Sequence, residues 1–132
     1  MGTRAVTIIK NENGDNICNL YKQYDGYPSE HGRELVEFLS DIVIVTGLDA
    51  SEEENIANGM GCLAAQIIAH FKNTPGGFYI YPVDQPDQGQ DYTYIVSFEK
   101  MGKSANVKCF NRDNGTLVFE GSAHNIKNFT ED

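Results

Sequence analysis

The sequence predicts an α+β domain: a six-stranded, mostly antiparallel sheet with two helices packed on one face, in the order β-β-α-α-β-β-β-β plus a short C-terminal helix. Three observations carry this. Period-two alternation occupies both ends of the chain, apolar residues recurring every three and four positions fill its middle, and Asn-Gly turn signals separate neighbouring strands. Strands grouped on either side of a helical pair point to segregated rather than alternating elements. At 132 residues the chain is a single domain, 1–132. A chain this long buries roughly two thirds of its unfolded surface.

Residues 4 to 10, RAVTIIK, alternate and are β-rich, as does ICNLYKQY from 17 to 24. Between them Asn13-Gly14 predicts a hairpin whose two central residues both take positive φ. NENGDN lacks the ligand spacing, distal glutamate and flanking helices of an EF-hand. YDGYPSEH then turns the chain. Asp25-Gly26 is a turn pair, Pro28 holds Tyr27 extended, and Ser29 and Glu30 suit a helix start. The first helix is expected from His31 to about Ser40, with Leu35, Val36, Phe38 and Leu39 as its apolar stripe. It is expected to run on through DIVIVT, 41 to 46, to Gly47 at its C′ position. A short strand over 41–46 is the alternative, since β-branched residues stiffen helices.

Ser51 with Glu54 three residues on predicts a capping box, opening a second helix from about Glu52 to Lys72. Ile56, Met60, Leu63, Ala64, Ile67, Ile68 and Phe71 form its stripe, bordered by Gly59, Gly61, Ala65 and Ala69. Pro75-Gly76-Gly77 ends it. Strands follow at 78–84 and 91–100, the second with Tyr92, Tyr94, Val96 and Phe98 on one face. ANVKCFNR and TLVFEG form a hairpin around Asp113-Asn114-Gly115. Ser122 is a candidate N-cap for the final short helix.

Charge narrows the function. The net value is −9, and nine carboxylates face Arg33 alone between Asp25 and Gln66. Nucleic acid needs lysine and arginine to displace counterions, so direct DNA or RNA binding is not expected. An acidic nucleic-acid mimic that inhibits a basic protein is one alternative. No apolar run approaches membrane-spanning length. The absence of a leader and the three scattered cysteines, Cys18, Cys62 and Cys109, suggest a cytoplasmic protein. Neither CxxC nor a Cys/His cluster at ligand spacing occurs, so no metal is expected.

Gly59-x-Gly61-x-x-Ala64 formally matches the dinucleotide fingerprint. That motif works where a strand turns directly into a helix, whereas SEEEN precedes it here, so no cofactor is expected. Cys62 and His70 stand about 12 Å apart along one helix, too far for direct contact. A small hydrolase using Cys62 or His31 would depend on partners brought by the fold. The favoured reading is a non-enzymatic binding or interaction module. Its expected partner-binding groups are Thr3, Arg4, Tyr24, Asp25, Tyr27 and His31, polar or amphipathic side chains where a strand meets a helix start. Asp25 and His31 are expected at the rim of an aromatic-walled pocket, and Arg4 is expected to pair with the acidic helical layer. The partner is a protein or a second copy, because tyrosine-rich sheet faces suit interfaces.

MGTR at the start, YKQYDGYPSEHG after the first hairpin, and GMGCLAAQ in the second helix resemble a group of small bacterial, phage and environmental proteins with no established activity. The group's pattern is GTR, then Tyr-x-x-Tyr/Phe-Asp-Gly/Ser-Tyr-Pro with a following glycine, then EG before a short helix. The resemblance runs from Gly2 through Glu120-Gly121. SAHNIKNF departs from the more helical, acidic ending it implies. It assigns no catalytic residue.

Overall fold

Alternating residues at both ends of the chain assemble into one sheet. In the computed structural model, which describes residues 2–45 and 55–127, the strands are β1 (Ala5–Lys10), β2 (Asn16–Lys22), β5 (Phe78–Tyr81), β6 (Tyr92–Ser97), β7 (Asn106–Asn111) and β8 (Leu117–Ser122). Their order is β5-β2-β1-β6-β7-β8. Neighbours are antiparallel except β1 and β6, which run parallel at the centre. Thr7 of β1 therefore stands between Leu20 of β2 and Tyr94 of β6.

Between β2 and β5 lie a π-helical turn (Pro28–Gly32), α1 (Arg33–Ser40), β3 (Val43–Val45), β4 (Ile56–Asn58) and α2 (Gly59–Phe71). A final turn, α3 (Ala123–Ile126), follows β8, and Ser122 Oγ accepts the Asn125 N–H as expected of an N-cap. Leu35, Val36 and Leu39 of α1 and Met60, Leu63 and Ile67 of α2 share one core with Ile9, Leu20, Tyr94, Val96 and Val107 of the sheet. Each such side chain contributes about 1.5–3 kcal/mol of burial.

The opposite sheet face is also covered. Val6 and Ile8 point there and are buried. Asn19, across from Ile8, donates its amide to the carbonyls of Pro82 and Gln85 at 3.0 and 2.9 Å. Gln90 reaches Thr93 Oγ1 at 3.0 Å, and Arg112 holds Asp87 through two bonds of 2.7 and 2.8 Å. The segment expected only to connect two strands thus straps the second face.

Several boundaries differ from expectation. The first helix does not continue to 46: Asp41 ends it, and Val43–Val45 is a strand. Its β-branched residues find a parallel partner, with Val43 opposite Ile56 and Ile44 opposite Ala57. Ile44 also bonds the 102–103 turn, its N–H to the Lys103 carbonyl and its carbonyl to the Gly102 N–H. The second helix starts at Gly59 rather than near Glu52, because Ile56–Asn58 is extended. Thr46, Gly47 and the Ser51–Glu54 capping box lie outside the described residues. His31 belongs to the π turn, and Ser29 does not cap it.

Turn chemistry departs in detail too. In the first hairpin Gly14 has φ 89° while Asn13 stays at negative φ. Asn11 organises the turn instead, its side-chain oxygen accepting the N–H groups of Asn13 and Asp15. Asn111 does the same for Asp113 and Asn114 in the last hairpin.

Candidate functional site

The segment Tyr24–Gly32 is held by Tyr94. Its hydroxyl donates to the Gly26 carbonyl at 2.7 Å, and the Gly32 N–H closes the turn on the Tyr27 carbonyl at 3.2 Å. Gly26 also donates its N–H to the Thr3 carbonyl at 2.9 Å. A Cβ at Gly26 would lie 2.7 Å from that of Ala5 and 2.9 Å from the Arg4 carbonyl carbon. Only glycine permits this approach. Asp25 takes φ 57°, a left-handed conformation tolerated by Asp, and its carbonyl accepts the His31 N–H. Tyr27 is extended before Pro28 (φ −61°, ψ 152°).

This packing joins Thr3 and Arg4 to Tyr24, Asp25 and Tyr27, residues far apart in sequence. Tyr24 and Tyr27 are about half exposed, at 50% and 46%. Tyr27 lies against Tyr92, with ring centroids 6.4 Å apart. Asp91 fastens the base of the site: its carboxylate accepts the Arg4 N–H at 2.9 Å, and its own N–H reaches the Arg4 carbonyl. Among the described residues, buried Arg4 Nε has no hydrogen-bond partner and its guanidinium makes no ion pair with the acidic helix.

His31 is not at the rim. It is buried beneath the loop, edge-on to Tyr94 and Phe71, with Nε2 2.9 Å from Thr7 Oγ1. Nδ1 has no partner. An orphaned acceptor costs less than an orphaned donor, which assigns the proton to Nε2, donated to Thr7. Burial, and secondarily the Lys22 charge, lowers its pKa to about 3, so the imidazole is neutral. Burial likewise raises the Tyr94 phenol far above its usual range and pushes the Cys109 thiol up to about 12. Cys62 is half-buried against the core and donates to Gln66 Oε1 at 3.7 Å.

Sequence reasoning missed a cleft beside this loop, about 670 Å³ in volume. Tyr24 belongs to both. Lys22, Glu34 and Glu37 line it together with Phe38, His70, Phe71 and Phe78. Phe38 of α1 and His70 of α2 stack at 4.1 Å and 13°. Lys22 Nζ sits 4.5 Å from the Phe78 ring centre and 5.2 Å from that of Tyr24, both within cation–π range. Glu34 and Glu37 share the exposed face of α1, flanked by Glu30 and Asp41, one carboxylate per turn. The only signal for the cleft in the sequence is that i, i+3 carboxylate pair beside Phe38.

The glycine fingerprint has the context it was expected to lack, since β4 leads directly into α2 at Gly59, φ 85°. Its N-terminus is already filled. Glu12 Oε2, reaching from the first hairpin, accepts the Met60 N–H at 2.8 Å, where a phosphate would otherwise sit.

Among the described residues no cluster of three or more His, Cys, Asp or Glu could hold a metal ion, and no helix is long and apolar enough to cross a membrane. No protein family, curated protein or solved structure matches this chain.

Proposed function

We propose that this protein is a non-enzymatic interaction module of the cytoplasm that docks a protein partner on the surface formed by Thr3, Arg4, Tyr24, Asp25 and Tyr27. The observation that carries the reading is the Gly26 junction. It brings two distant segments together and leaves two tyrosines half exposed on a rigid base. Tyrosines held this way offer large contact area at low entropic cost. His31 serves the site from below, by packing, and a buried neutral imidazole without solvent access is poorly placed for acid–base catalysis.

The carboxylate row Glu30, Glu34, Glu37 and Asp41 supports a further specification, in which the partner is basic and the protein acts as an acidic mimic toward a nucleic-acid-binding surface. Two copies at net charge −9 repel, which favours a different protein over self-association. Quantitative capture from cell extract, comparing wild type with Tyr27→Ala/Asp25→Ala and with Leu117→Ser on the far edge of the sheet, tests the proposal. The expected result is a protein retained by wild type and Leu117→Ser and lost by the loop variant. Equal retention by all three removes the reading.

A further inference from the structure

We infer that the cleft between α1 and the 73–78 segment is a receptor for an arginine side chain of the partner; this rests on the interaction-module reading and names the chemistry that the module recognises. Its walls are aromatic, its rim on α1 is acidic, and it already holds one cation. Lys22 lies over Phe78 and Tyr24, showing that these rings accept positive charge. Lys22 does not neutralise the rim, because Glu34 and Glu37 make no ion pair among the described residues. Two free carboxylates one helical turn apart thus face a cavity of about 670 Å³ beside the Phe38–His70 stack.

An arginine side chain fits each feature. Its flat guanidinium stacks on an aromatic ring, and its planar fork of N–H donors can serve two carboxylates at once, whereas a lysine ammonium offers donors without the plane or the fixed fork. An anionic ligand would meet two carboxylates and a single lysine. The neighbouring tyrosine loop then holds the backbone that delivers the arginine.

The test is an amide-resolved NMR titration of the whole protein at low ionic strength with the peptide acetyl-Gly-Arg-Gly-amide. Parallel titrations use the lysine peptide and the citrulline peptide, which keeps the shape of arginine without its charge. The expected result is shifts at Glu37, Phe38, Gly76 and Gly77 with arginine, at least fivefold weaker binding with lysine, and none with citrulline. Glu34→Gln/Glu37→Gln should weaken arginine binding at least fivefold, and Lys22→Met should tighten it by removing a like charge. Glu34 and Glu37 are exposed and Lys22 is half-buried, and the same spectra report whether the fold is kept. Equal binding of citrulline, indifference to the glutamine pair, or shifts confined to other surfaces overturns the inference. Loss of arginine binding with partner capture intact removes this inference alone. Arginine binding with capture unaffected by the loop variant removes the wider proposal instead.

Discussion

At the scale of single residues, His31 and Tyr94 connect the core to the proposed site. The His31 pKa is lowered from 6.5 to about 3 in the folded protein, so between those values the unfolded chain binds the extra proton. Stability therefore falls as pH drops through that window, by up to about 1.4 kcal/mol per unit. Above it His31 adds no pH dependence. His31→Gln keeps a partner for Thr7 and removes the titration. Urea unfolding at pH 7.0 should show the variant less stable by about 1–3 kcal/mol, and the gap should narrow at pH 4.5. Parallel pH profiles would contradict the buried neutral assignment. Tyr94→Phe deletes the hydroxyl that holds the Gly26 carbonyl and should cost about 1–3 kcal/mol. An unchanged urea midpoint would mean that the latch contributes nothing. His31 was legible as a site candidate only by type; its burial depends on Phe71 and Phe78, which no local pattern places beside it.

Among the elements, the six strands and both hairpins were legible because alternation and Asn-Gly signals are local. The β3–β4 pair was not. A short β-branched run fits a helix end or a buried strand equally well, and its partner lies in a separate stretch of chain. The same pairing shortened α2 at its start and put the Glu12 carboxylate at its N-terminus. Glu12→Ala should therefore destabilise the fold by about 1 kcal/mol, although Glu12 lies in a hairpin tip. Thermal melts compared with Glu120→Ala would show this, and equal melts would refute the cap. Gly26→Ala is expected to be more damaging than either, since its Cβ meets Ala5 and the Arg4 backbone. Proteolysis within residues 23–30, faster than in wild type, would report the loop lifting away; an unchanged digestion pattern would show that the junction is dispensable.

Viewed as a whole, the molecule combines an acidic helix face with a tyrosine-bearing loop and a cleft between them. The loop was readable from sequence as a turn because Asp25-Gly26 and Tyr27-Pro28 carry local signals, although the expected Ser29 cap does not form. The cleft was not, because Phe38 and His70 meet only through the crossing of two helices. The charge distribution predicts that partner binding weakens as salt rises from 50 to 300 mM, mainly through slower association. Salt-independent kinetics would speak against a basic partner. The most direct test places the photo-crosslinker benzoylphenylalanine at position 27 or at position 117, two comparably exposed positions, one on the tyrosine loop and one on the edge strand β8. The account predicts a discrete protein adduct in cells from position 27 and none from position 117. Adducts from 117 alone, or the same adducts from both, would contradict it.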